Sequence, residues 1–109
     1  MTAEEFRTLI KTQNYIEGGS ELHKAFHEFS QRAMKITCDM NYTYHTPEEI
    51  VALMSDLTQS KIDDSFGLFP PFNTDCGVNI HIGKNVFINS GCSFQNQGEI
   101  YIDEGEKHD

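Results

Sequence analysis

Five histidines, three cysteines and seventeen carboxylates are the groups with which this 109-residue chain could do chemistry, and their spacing removes most of the options. His23 and His27 stand four apart, where one helix face could offer two imidazoles to a metal. No HExxH pattern accompanies them, and no carboxylate has the spacing of a third ligand, so they read as ordinary helix-surface residues. Cys38, Cys76 and Cys92 are odd in number, far apart and without a CxxC pair, which argues against both a disulfide framework and a zinc site. Cys92 falls in an apolar series and reads as a small core residue. No serine or cysteine has a base and an orienting acid around it, so covalent hydrolase chemistry is unsupported. Gly67, Gly77, Gly83, Gly91 and Gly98 never form GxGxxG or GxxxxGK, which removes phosphate-loop readings.

The elements that must position any remaining site change character along the chain. Thr2 with Glu5 forms a capping-box pattern ahead of Phe6, Leu9 and Ile10, predicting a helix from about Ala3 to Gln13. Gly18 and Gly19 interrupt, and Ser20 caps a second helix whose Leu22, Phe26, Phe29, Ala33 and Ile36 share a stripe. Thr46-Pro47-Glu48-Glu49 opens a third, with Ile50, Leu53, Met54 and Leu57 on its buried face. Cys38 to His45 reads as a polar and aromatic connection between helices, and Gln59 to Asp64 as loop.

From Leu68 the pattern is no longer helical, because Phe69-Pro70-Pro71-Phe72 cannot occupy a helix interior. Ile82, Ile88 and Phe94 recur every six residues, and Ile80, Val86 and Cys92 run two positions ahead with the same spacing. A period of six is neither helix nor ordinary strand. Asn79, Asn85 and Gly91 share it and are types that tolerate left-handed backbone, so they read as corners. Short strands with a corner every six residues describe a β-helix with three hexapeptides per turn. Ile100 and Ile102 resume the two series after eight residues, which implies a two-residue bulge at Gln97 and Gly98. His81, between two inward isoleucines, faces outward. The chain is thus read as α+β: a helical cap over 1–58, a connecting loop leading into the coil over 59–77, and an incomplete hexapeptide-repeat β-helix over 78–109.

A formal net charge of −9 repels nucleic-acid phosphates and anionic membranes, so neither is expected as a partner. No apolar run approaches the roughly 20 residues of a membrane span, and the first residues lack a signal-sequence pattern; a cytoplasmic protein is expected.

Pro70-Pro71-Phe72, Asp75-Cys76-Gly77-Val78-Asn79-Ile80-His81-Ile82-Gly83 and Asn85-Val86-Phe87-Ile88-Asn89 resemble the opening coil of maltose and galactoside O-acetyltransferases. The helical first half, with its Tyr15-Ile16-Glu17 step, is similar to the maltose acetyltransferase cap domain. The resemblance covers essentially the whole chain and about half of the family's length. It implies a left-handed parallel β-helix assembled as a homotrimer with active sites between subunits. It also implies transfer of acetyl from acetyl-coenzyme A to a sugar hydroxyl, with a histidine as general base and no covalent intermediate. By the same resemblance, Asn89 matches the motif asparagine near the acceptor, Asp75 a polar or acidic acceptor contact, Phe87 an aromatic ring facing the sugar, and Glu17 a cap-domain acid reaching a neighbouring site. Asn96 stands where relatives carry an acceptor-binding aspartate, a loss of charge that weakens hydrogen bonds to the sugar.

The family's catalytic histidine and its coenzyme A coils lie beyond Asp109 in this alignment, so the resemblance implies a truncated form with no catalytic residue, no bound cofactor and no turnover of its own. His108, followed by Asp109 as the family histidine often is, is the remaining candidate base, although the intervening coil is missing. Glu99 replaces a glycine expected before Ile100. About one and a half coils, fewer than the three repeats that usually close such a core, predict self-association through an open coil end. The alternative function is a non-catalytic module that binds a full-length hexapeptide acetyltransferase.

Overall fold

The computed structural model describes residues 1–12, 16–95 and 99–105, with the backbone alone at 107 and 108. Helix α1 (Ala3–Thr12) starts at a complete capping box: Thr2 N donates to Glu5 Oε1 at 2.9 Å and Glu5 N to Thr2 Oγ1 at 3.1 Å. Helix α2 (Glu21–Tyr42) is capped by Ser20, whose hydroxyl accepts from His23 N at 3.1 Å. Helix α3 (Pro47–Thr58) opens on the Thr46–Glu49 box, with Pro47 in the first turn. All three starts match the sequence. The end of α2 does not, since Cys38 to Tyr42 is helix rather than connection. Ala33, Ile36, Thr37 and Met40 are buried at helical spacing, and this stripe carries the helix on past the polar residues between them.

Seven short strands follow: β1 (Gly67–Leu68), β2 (Phe72–Thr74), β3 (Ile80–Ile82), β4 (Phe87–Ile88), β5 (Cys92–Phe94), β6 (Ile100–Ile102) and β7 (Lys107–His108). They pair in parallel as β1-β4-β7, β2-β5 and β3-β6, three faces of one coil. Partners are 20 residues apart throughout, as in Gly67↔Phe87, Phe72↔Cys92 and Ile80↔Ile100. The hexapeptide pattern alone predicts 18. The difference lies in the corner between the second and third faces, where Phe72 to Ile80 and Cys92 to Ile100 both span eight residues. The expected bulge at Gln97 and Gly98 falls outside the described residues; one turn earlier the same eight-residue spacing is taken up by a longer corner at 75–79. Pairing also begins at Gly67, so β1 and β2 lie within the stretch read as connecting loop, and the coil makes two turns.

Left-handed backbone occurs in the coil at Gly77, Asn85, Gly91 and Gly105. Asn85 and Gly91 are left-handed corners as expected, whereas Asn79 lies at the end of its corner without left-handed backbone. It is 1% exposed, and its carbonyl accepts Ile100 N at 2.8 Å as the first rung of the third face. The eight-residue corner places its turn earlier, at Gly77, whose carbonyl accepts Ile80 N at 3.0 Å.

One apolar cluster joins α2 and α3 to the coil interior through Met40, Ile50, Met54, Leu57, Phe66, Phe72, Ile80 and Ile88. A second packs Phe6, Leu22 and Ala25 against Cys76 and Val78 of the long corner. Asn41 completes the docking of α2 on the coil. Its Nδ2 donates to Phe72 O at 2.9 Å and its Oδ1 accepts Phe72 N at 2.8 Å, so the amide occupies the place of a further strand along β2. Asn41→Leu leaves both groups of Phe72 without a partner and is expected to cost about 1–3 kcal/mol. Urea unfolding followed by circular dichroism measures it. No helix among the described residues is long and apolar enough to cross a membrane.

Candidate functional site

On the β1-β4 face the buried Ile88 fixes the orientation of its neighbours, so Phe87 and Asn89 both project outward. Gly67 makes room for the Phe87 ring, since a Cβ there would lie 3.1 Å from Phe87 Cδ1. Phe69 meets the same ring edge-to-face, with centroids 5.0 Å apart. Asn89 Oδ1 accepts Ser90 N at 2.9 Å, which steadies the side chain. The result is an outward patch in which an aromatic surface adjoins an amide, suited to a neutral, hydroxylated ligand: the ring for C–H faces, the amide for hydroxyl groups.

Within one chain Asp75 is not part of this patch. It follows β2 on the long corner, the edge of the coil opposite the β4 face. There its Oδ1 is buried with no hydrogen-bond partner among the described residues, beside Cys76. Burial pushes the Cys76 thiol up to about 12, with the Asp75 charge adding to the rise. The folded chain thus favours the neutral thiol. Its contribution to stability is complete below the ordinary thiol value of 9.0 and declines as pH rises toward 12, by up to about 1.4 kcal/mol per pH unit. Urea midpoints at pH 7, 9 and 10.5 should fall more steeply for the native chain than for Cys76→Ala. Thiol labelling at pH 8 should find the exposed Cys38 reactive and Cys76 protected until unfolding.

Glu17 is exposed in the turn between α1 and α2, where its backbone carbonyl accepts Ser20 N and Ser20 Oγ. The neighbouring Ile16 packs on the second apolar cluster, which holds Phe6, Leu22, Ala25, Cys76 and Val78, whereas Phe87 lies on the β1-β4 face. Asn96 is outside the described residues, as is the side chain of His108. The backbone of His108 takes the register of Ile88, not of Phe87 or Asn89. Among the described residues no group of three or more His, Cys, Asp or Glu could hold a metal, and His23 Nδ1 accepts Gly19 N at 3.0 Å.

Two features escape the sequence patterns. His81 Nε2 is bonded to Glu99 Oε2, and the imidazole stacks on Tyr101 with centroids 4.6 Å apart and planes inclined by 15°. Glu99 gives this imidazole its partner, and the 20-residue turn that brings 81 beside 101 is what makes the pair. The other is a cleft of about 690 Å³ between the end of α2, the connection to α3, and β1. Tyr42, Tyr44 and Phe69 are its conspicuous residues. Their clustering depends on the longer α2 and on an earlier start of the coil, neither of which the repeat pattern contains.

No protein-family model matches the chain. Two Staphylococcus aureus proteins, from strains MRSA252 and COL, each bearing the name "Putative acetyltransferase", are 32% identical to it over 69 residues. The match takes in 63% of this chain and 35% of each relative, so the matched segment spans about a third of their length. A solved hexapeptide-repeat-containing acetyltransferase from Vibrio cholerae, complexed with acetyl coenzyme A, superposes with a TM-score of 0.62 at 23% identity. It covers 94% of this chain, cap and coil together, and 52% of its own. The fold is shared.

Proposed function

We propose that this chain carries the acceptor side of a sugar O-acetyltransferase of the maltose and galactoside type, with a left-handed coil. The observation that carries the reading is the outward pair Phe87 and Asn89 on one coil face, in a chain whose relatives bear an acetyltransferase name. The ring stacks on the apolar face of a pyranose while the amide bonds a hydroxyl and fixes its direction. Attack of that hydroxyl oxygen on the thioester carbonyl of acetyl coenzyme A forms the O-acetyl ester and releases the thiol, the hydroxyl proton passing to a general base. Asp75 lies on another edge of the coil and Glu17 in the turn between α1 and α2, so they serve the acceptor of a neighbouring subunit, in keeping with a trimer that has sites between its chains.

Saturation-transfer NMR of the purified chain with glucose, maltose and a galactoside tests the acceptor assignment. Phe87→Ala and Asn89→Ala should each lower occupancy about tenfold or more, the loss of one good stacking or hydrogen-bonding contact. Binding that is indifferent to both substitutions would overturn it. Thiol release from acetyl coenzyme A in the same mixtures tests transfer itself.

A further inference from the structure

The turn that precedes β1 is tied to the corner that precedes Phe87. In that turn Phe66 N donates to Asp63 O at 3.0 Å, and Asp63 Oδ2 accepts both Ser65 N, at 3.0 Å, and the Ser65 hydroxyl. With its proton drawn to the carboxylate, Ser65 Oγ turns a lone pair to Asn85 N, which donates to it at 2.7 Å. The two Ser65 hydrogen bonds, with Lys84 and Lys61 adding to them, hold the Asp63 carboxyl below its ordinary range, so it stays an acceptor at neutral pH. One turn later the counterpart of Asn85, Gly105, donates its N–H to Lys84 O at 2.9 Å, a backbone rung. Asn85 lies above the turn that opens the coil, and there the Ser65 hydroxyl takes the place of that carbonyl.

Asn85 holds φ at +57°, left-handed backbone that a residue other than glycine keeps only where its surroundings impose it. Two residues on, the Phe87 ring lies over Gly67, and Val86 O accepts Gly67 N at 3.0 Å. Ser65 and Gly67 share one short segment, as do Asn85 and Phe87, so a single side-chain link sets the ring against its seat. We propose that Asp63 and Ser65 are positioning residues of the acceptor patch, which through Asn85 N hold the corner that places Phe87 over Gly67 and against Phe69. This rests on the acceptor reading of Phe87 and Asn89 and extends it to two residues that act through the backbone.

The test follows the Phe87 ring by two-dimensional NMR and maltose by saturation-transfer titration, on the full chain and its Asp63→Ala, Ser65→Ala and Ser65→Thr variants. Circular dichroism, and a temperature well below each melt, restrict both readouts to folded protein. Expected in Ser65→Ala are Phe87 ring shifts that lose the displacement imposed by Phe69, and a Kd raised about threefold to tenfold, the size of one hydrogen bond. Asp63→Ala should move both in the same direction by less, and Ser65→Thr, which keeps the hydroxyl, should restore both. Native ring shifts and affinity in Ser65→Ala, or a loss that Ser65→Thr does not restore, overturn the positioning role. So does a displaced ring with unchanged affinity when Phe87→Ala still weakens binding. Absence of saccharide binding in the native chain, or binding indifferent to Phe87→Ala, sinks the acceptor reading alone; ring shifts that follow Ser65 then still support the link as the holder of Phe87.

Discussion

Gly77→Ala is expected to destabilise the chain by about 3–5 kcal/mol, a large part of the total for a domain of this size. Gly77 holds φ at +87°, where an L side chain is strained. A Cβ there would also lie 2.7 Å from Leu57 Cδ1 and 2.8 Å from Leu57 O. The backbone oxygen at the end of α3 cannot retreat by rotating a side chain, so the long corner and the helix must separate. Gly91 supplies the control. It has the same φ of +87° but open space around the added carbon, so Gly91→Ala should cost only about 1–2 kcal/mol. Thermal melts should put the Gly77 variant on the order of 15 °C or more below the native chain and the Gly91 variant much closer to it. Equal losses in the two would mean that φ, and not the packing against Leu57, sets the cost.

Arg7→Leu is expected to cost about 2–4 kcal/mol. The guanidinium ties three segments together: Nε donates to Val78 O at 2.6 Å, and Nη2 donates to Thr58 O at 2.6 Å and to Ser60 Oγ at 3.2 Å. Thr58 ends α3, where carbonyls lack helical partners and a positive charge is favourable. Leucine keeps much of the bulk and leaves those carbonyls to whatever water can reach them. Arg7→Lys should recover only part of the loss, since one ammonium cannot reproduce the fork. Denaturant unfolding of the three proteins gives the order native, Lys, Leu. A leucine variant as stable as the native chain would show that water replaces the guanidinium at no cost.

Neither Arg7 nor the long corner is legible in the sequence, and the reason is physical. Capping boxes at Thr2–Glu5 and Thr46–Glu49 are visible because both partners lie within three residues of each other. The inward series at Ile80, Val86 and Cys92 is visible because a buried residue recurs at the same position of each six-residue side of the coil. Arg7 acts across 51 and 71 residues, a separation that no local pattern encodes. The turn length of 20 appears only in the strand pairing, where Cys92 meets Phe72 and not Thr74, its partner in a turn of 18. At Asn79 the corner is where the spacing puts it, but the left-handed residue of that corner is Gly77, two positions earlier. Phe87 and Asn89 emerge side by side because they flank one inward isoleucine. Asp75 does not join them because it follows β2 on the long corner, and Glu17 does not because it sits in the turn between α1 and α2, placements that residue identity alone does not carry.

Asn41 has a consequence for how the molecule comes to be built. Its amide fills the outer edge of β2, so in that sheet a newly made strand finds its partner on the opposite side alone. Because the three helices precede the coil in sequence, Asn41 is available to hold β2 as it is made, and each following turn can lay down on the one before. Every such pairing closes a loop of only 20 residues, short for a parallel sheet, where crossovers usually make assembly slow. The cap therefore acts as a template that gives the coil a direction of growth. A circular permutant that places the helices after the coil should reach the same fold more slowly and aggregate more on the way.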